Sequence, residues 1–259
     1  MATHFSCTLC GNCCRDLRLP LSIDEAIRWL THSGRVELFC EAIPWPEEPP
    51  ADDRQAHYRR ERSFVATSGA LPVRVVVTLV ASFNGPCPNL QADQRCGAYE
   101  TRPNVCRIYP AEVNPFVELD PASKSCPPDA WTADQPVFID GGRLVDAETA
   151  ALIDVARSNA VRDVAAKQHL CALLGCHTAS LANEGFAIHS PDRDRLLAAL
   201  NAVRDAASTP QPHTVAAPWS FVSNRRATLD TLTSIGAPCV PAGDTAAFDG
   251  SYLNFFPAD

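Results

Sequence analysis

The hydrophobic pattern of this chain changes period several times, and each change suggests an element. Ser22-Ile23-Asp24-Glu25 reads as a capping box, and Ile23, Ile27 and Leu30 repeat on one face behind it. They predict a helix over 23–32, with Gly34 as its stop. Residues 43–53 are Pro-rich and acidic and read as a surface loop. The β-branched runs 64–67 and 74–81, separated by Ser68-Gly69-Ala70-Leu71-Pro72, predict a small antiparallel hairpin. Pro103 suits the first position of a short helical turn carrying Cys106.

Further along, Ile153, Ala160, Val164, Cys171 and Leu174 recur at intervals of 7, 4, 7 and 3, a helical stripe that Gly175 can end. Ser190-Pro191 reads as a cap with Pro at the first helical position, ahead of the apolar face Leu196, Leu197, Leu200 and Val203. Residues 206–218 and 236–247 are rich in Ala, Thr and Pro and read as loop or tail. The pattern predicts an α+β protein with a boundary near Gly141-Gly142. Residues 1–140 would form a loop-rich cysteine-cluster metal domain with a small antiparallel hairpin and short helices. Residues 141–259 would form a mainly helical domain with a Pro/Ala/Thr-rich tail.

Composition sharpens this picture at one residue type. The chain has 259 residues, enough to bury a core without disulfide support, and 12 of them are Cys. Lys and Arg total 22 against 30 Asp and Glu, a net charge of −8. That balance argues against nucleic acid or an anionic membrane as partner, since either calls for a basic face. No basic segment followed by an apolar one opens the chain, and the longest apolar run, 75–83, is too short to span a bilayer. The expected location is the cytoplasm, where clustered thiols stay reduced and signify metal more often than disulfides.

Cys7-x2-Cys10-x2-Cys13-Cys14 is the strongest chemical signal. A two-residue gap lets a tight turn aim two thiolates at one point, the device of zinc knuckles and iron–sulfur proteins alike. Gly11 and Asn12 suit the partly left-handed turn this needs. Neighbouring side chains on extended backbone diverge, so Cys13 and Cys14 either serve two metal centres or leave one thiolate outside the metal. Cys87, Cys96, Cys106 and Cys126 complete a set of eight. Eight thiols would fill two four-sulfur sites, or one cluster with four to spare. A four-thiolate site keeps a net charge of about −2 around zinc or an oxidised cubane. Arg15, Arg102 and Arg107 stand in sequence to offset it, Arg107 as a group touching the cofactor.

The same residues carry a resemblance. Phe5-x-Cys7-x2-Cys10-Gly11-x-Cys13-Cys14, then Cys87-Pro88-x-Leu90, Cys96-x2-Tyr99-Glu100-x-Arg102-Pro103 and Cys106-Arg107-x-Tyr109-Pro110, resemble the bacterial CxxCxxCC cysteine-cluster family, a zinc- or iron-chelating domain. The resemblance implies a metal centre. Flagellin lysine methylase is similar in its cysteine pattern, which implies an iron–sulfur cluster and methyl-transfer or redox chemistry. This chain is shorter than that branch, and its C-terminal half carries no such likeness.

Spacing leaves iron–sulfur, as a four-iron, four-sulfide (4Fe-4S) cluster, and zinc both open. The run lacks the Cys-x3-Cys-Pro ending of ferredoxins, and the second half lacks the Cys-x2-Cys pair usual in four-Cys zinc sites. Two functions follow: a metal protein supporting transfer or redox chemistry, or a non-catalytic zinc-stapled module. In either, the C-terminal half would dock a protein substrate or partner. Cys171 and Cys176 read as core around the helix end, and Cys40 and Cys239 as buried or incidental. His4 is the one histidine near the Cys loop. The basic run 54–62 lies beside Glu47, Glu48, Asp52 and Asp53 and reads as a solvated mixed-charge face.

Overall fold

A computed structural model describes residues 2–32, 34–206 and 218–258. Helices and strands are both abundant, as α+β requires. The chain forms two compact units, but they interleave: Met1–Leu21 with Ala81–Asn159, and Ser22–Val80 with Ala160–Asp259. This differs from the expected division into 1–140 and 141–259. Gly141 and Gly142 (φ +56° and +76°) are no linker; they form the two-residue turn joining strands Val137–Asp140 and Arg143–Leu144.

In the cysteine-bearing unit, Val137–Asp140 also pairs with Thr3–His4. The Phe5 ring lies against Trp131 and Phe138 at centroid distances of 4.8 and 5.3 Å, fixing where the chain enters the thiol loop. The helix Asn104–Ile108 starts one residue after Pro103 and packs on strand Arg18–Leu21 through the buried Ile108, Leu19 and Leu21. Most of the helix Ala147–Arg162 also belongs to this unit, with short 3-10 turns at Tyr99–Thr101, Pro121–Ser123 and Pro128–Trp131. The segments bearing Cys7–Cys14, Cys87–Cys96 and Cys126 are turns and loops.

The second unit is a mixed sheet with helices, so residues 160–259 are not mainly helical. Strands Cys239–Pro241, Ser220–Ser223, Thr178–Leu181 and Val36–Pro44 are parallel neighbours. Val36–Pro44 also pairs antiparallel with Gly185–His189, which pairs with Ser251–Asn254. Phe64–Ser68 and Leu71–Ser82 pair antiparallel about Gly69, within this unit rather than in the cysteine domain. Helices Ile23–Thr31, Val164–Leu174 and Arg193–Ala206 pack together, burying Leu30, Leu170, Leu196 and Leu200. The segment 236–247, expected as loop, contributes the strand Cys239–Pro241. The expected loop 206–218 lies almost wholly outside the described residues.

Local chemistry explains several boundaries. Ser22 and Glu25 form the reciprocal capping box before Ile23. Gly34 follows the helix, where an added Cβ would stand 2.2 Å from the Trp29 ring. The stripe from Ile153 to Leu174 is two helices, Ala147–Arg162 and Val164–Leu174, broken at the buried Asp163. The Asp163 carboxylate accepts from the Ile23 backbone N–H at 2.9 Å and from Arg162, capping a distant helix instead of continuing its own. Gly175 (φ +71°) ends the second helix in left-handed conformation. The cap of Arg193–Ala206 is Asp192, whose carboxylate accepts from Asp194 and Arg195; Ser190 instead donates to Glu37.

The capping box generates a stability prediction. Ser22→Ala removes one side of it and should lower the unfolding free energy by about 1 kcal/mol in urea denaturation. Because the box lies in the unit that does not carry the eight thiols, metal content should be unchanged.

Candidate metal centre

The thiol loop is shaped by backbone constraint. Leu9 and Gly11 take left-handed conformations, φ +56° and +72°, and the Cys14 N–H bonds back to the Gly11 carbonyl at 3.0 Å. Gly11 is required twice. Its φ suits glycine, and a Cβ there would stand 2.8 Å from the Gln94 carbonyl oxygen. The expected second left-handed position, Asn12, is instead Leu9, a strained conformation for a bulky residue.

The loop is tied to the later cysteine segments by main-chain bonds. The Cys87 N–H donates to the Cys14 carbonyl at 2.8 Å, and Asp16 N–H to Gly85 at 2.8 Å. Residues 89–97 fold into a small turn in which Leu90 bridges Cys96 and the Gly97 N–H reaches the Asn89 carbonyl at 2.7 Å. The Ser6 N–H donates to Ala130 at 3.0 Å, holding the start of the loop beside the segment that follows Cys126. A cavity of ≈ 280 Å³ results, lined by Cys7, Cys10, Cys13, Cys14, Cys96, Cys106 and Cys126 together with Arg102, Arg107 and Tyr109.

Burial and mutual proximity act on these thiols. Burial, then the neighbouring Cys14, pushes Cys13 up to about 12 from 9.0. Burial, then Cys87, Cys14 and Cys96, pushes Cys106 up to about 12, against the Arg102 guanidinium. Cys14 is raised by burial and by Cys96, Cys10 and Cys7, while a hydrogen bond from the Cys13 thiol holds it down. Cys87 is raised by burial and by Cys14 and Cys96; the Asn89 and Leu90 backbone N–H groups oppose this. Cys126 is raised by burial and by Cys7 and Cys10, against the Tyr109 hydroxyl and Lys124. Tyr109, whose hydroxyl accepts from the Ser125 N–H at 2.8 Å, is itself raised to about 12, chiefly by burial.

All eight expected thiols therefore lie in one unit and within electrostatic reach of others of the set. Cys40, Cys171 and Cys176 are buried in the other unit, where the Cys40 and Cys171 thiols share a hydrogen bond. Cys239 is half-buried against the Leu229 carbonyl. His4 turns its Nδ1 to the Gln135 carbonyl at 2.7 Å. Arg15 donates to the Gln94 side chain, and Arg107 pairs with Glu148 at 3.1 Å while bordering the cavity. Arg102, the cation acting on Cys106, stacks on Tyr99 at 3.9 Å, and its buried Nε has no hydrogen-bond partner. Tyr109 stood in the sequence only as a motif residue and Lys124 not at all; their folding back toward Cys126 gives both a place beside the thiols.

Among the described residues, no group of three or more Cys, His, Asp or Glu side chains stands ready-formed around a metal position. The donor set nevertheless fits a soft metal. It consists of thiols alone, with cations and N–H donors beside them to offset thiolate charge.

Residues 6–127 match the CxxCxxCC family, described as a "putative zinc- or iron-chelating domain". The match covers the whole of the eight-thiol set and leaves the sheet-rich C-terminal region outside it. No curated protein and no solved structure matches the chain. Metal chelation is the function the family supports. No helix among the described residues is long and apolar enough to cross a membrane.

Two predictions follow from this geometry. Gly11→Ala should destabilise the protein by more than Gly85→Ala, measured by thermal unfolding. Both glycines are left-handed, but a Cβ at Gly85 meets nothing within 4 Å; equal losses would deny the close approach to Gln94. The metal-free chain should also lose stability as pH rises from about 9 to about 12. Unfolded thiols ionise near 9.0, whereas Cys13 and Cys106 resist until about 12 in the folded state. Folding therefore favours the protonated form, and that contribution disappears as pH climbs through the window. Denaturation midpoints of the metal-free protein at stepped pH measure it.

Proposed function

We propose that the unit formed by Met1–Leu21 and Ala81–Asn159 chelates metal through Cys7, Cys10, Cys13, Cys14, Cys87, Cys96, Cys106 and Cys126, and that the metal is iron, as 4Fe-4S. The observation carrying this reading is the gathering of the eight thiols into one unit, with seven of them lining one cavity. Without a cation, thiolates so placed oppose one another's ionisation. A bound metal reverses this by neutralising them, so binding is coupled to proton release and to drawing the loops together.

Iron–sulfur is favoured over zinc by spacing: Cys87, Cys96, Cys106 and Cys126 contain no Cys-x2-Cys pair of the kind zinc sites use. A cluster, when bound, supplies electron transfer or a site for transfer chemistry. The chain's own residues supply the surroundings. Asn89 and Leu90 N–H groups face the Cys87 sulfur, the Tyr109 hydroxyl and Lys124 face Cys126, and Arg102 faces Cys106. Arg107 borders the cavity and adds positive charge near the centre. The setting is the cytoplasm, since these thiols must stay reduced. The C-terminal region is the surface for a protein substrate or partner.

The test is metal and acid-labile sulfide analysis of anaerobically purified protein, with its visible spectrum. Iron with matching sulfide supports the reading; stoichiometric colourless zinc replaces it with the zinc-stapled module. Cys10→Ser and Cys13→Ser should each lose much of the metal, because serine poorly replaces a soft thiolate. Replacing Cys40, Cys171, Cys176 and Cys239 together by Ala should leave metal content intact, with a modest stability loss from small cavities. Metal loss from the quadruple variant alone would show that the ligands lie elsewhere.

A further inference from the structure

We infer that a second cavity in the cysteine-bearing unit binds a small organic carboxylate through Arg102 and Arg107, and that the Glu148 side chain competes with it for Arg107. The inference concerns a small-molecule site and does not depend on the chelation reading.

This cavity measures ≈ 400 Å³ and adjoins the thiol-lined one, with which it shares both arginines. All its lining residues fall within Ala81–Asn159, so one unit builds it whole. The short helix Asn104–Ile108 brings the two arginines to it. Arg102 precedes the Pro103 cap and Arg107 lies in the last turn, while Ile108 is buried.

Arg102 is the decisive residue. It is half-buried, and its guanidinium stacks over the Tyr99 ring at 3.9 Å. Its buried Nε has no hydrogen-bond partner, and among the described residues no carbonyl or carboxylate accepts from its other donors. A guanidinium carries five N–H donors, and covering it without acceptors costs free energy that a ligand can restore. Stacking on an aromatic face holds the fork in place and leaves its edge for a planar anion.

Arg107 shows which anion fits. Its guanidinium holds the Glu148 carboxylate at 3.1 Å, and the Glu148 side chain is 77% exposed. So exposed a pair contributes little, and a ligand carboxylate can take the place of Glu148. The other acids at the cavity are otherwise engaged or outside. Asp146 accepts from the Thr149 N–H at 2.8 Å, and Glu100 is exposed to solvent. Two guanidinium groups among three carboxylates suit an anion of single charge better than doubly charged phosphate. Tyr99 and Leu152 supply apolar wall for the hydrocarbon part of the ligand.

The experiment is a calorimetric titration of the full chain, purified anaerobically, with propionate at constant ionic strength. Inorganic phosphate is the second probe, and metal content is measured on every sample. Propionate should bind saturably at one site, and more tightly than phosphate. Arg102→Gln should weaken it about tenfold or more, since a charged hydrogen-bonding partner is lost. Glu148→Gln should strengthen it by up to about fivefold, since an exposed competitor is removed. Absence of saturable propionate binding overturns the inference, and tighter phosphate binding overturns the carboxylate class. Metal loss in Arg102→Gln with propionate binding unchanged leaves Arg102 as a counter-charge to the thiols alone and also overturns it. If Arg102→Gln fails to fold, Glu148→Gln decides, and unchanged or weaker binding there counts against the site. A wild-type chain that binds propionate but no metal overturns the chelation reading and leaves this site standing.

Discussion

Eight thiols held within reach of one another are stable only while protonated or bound to a cation, and the cysteine-bearing unit is built around that constraint. Thiolates in a partly covered site repel, and burial adds to the cost of ionising them. The effect is plain at Cys13 and Cys106, both pushed up to about 12. The segments that carry Cys7–Cys14, Cys87–Cys96 and Cys126 are turns and loops because the thiols must approach from several directions. A single helix or strand presents side chains at fixed intervals, whereas turns at Leu9, Gly11 and Gln94 re-aim them residue by residue.

The second unit places no part of the eight-thiol set and has the opposite character. Its apolar side chains are buried between helices and a mixed sheet, and its own cysteines, Cys40, Cys171 and Cys176, are part of that core. One chain thus contains two uses of cysteine. In the core it is a small apolar side chain; in the loop unit it is proposed as a ligand.

Local signals in the sequence survived folding where their partners were local too. Ser22 and Glu25 cap each other three residues apart, and Gly175 ends its helix by its own backbone conformation. Phe64–Ser68 and Leu71–Ser82 pair across a two-residue turn. The signals that misled depended on distant partners. Asp163 looks like a passenger in a helical stripe until Ile23 supplies the N–H that its carboxylate caps. Strand Cys239–Pro241 is invisible in an Ala- and Pro-rich stretch because its pairing partner is Ser220–Ser223. The interleaving of the units follows from such contacts and has no signature in composition. At the site, the eight cysteines could be picked out by clustering alone. The contacts of Tyr109 and Lys124 with Cys126 could not, since both depend on how the loops fold back.

X-ray absorption at the metal edge of the anaerobically purified protein tests the central claim most directly. The account predicts a coordination shell of sulfur alone, with metal–sulfur distances of about 2.3 Å. A shell containing nitrogen or oxygen ligands would contradict it, because the account assigns every ligand position to a cysteine thiolate.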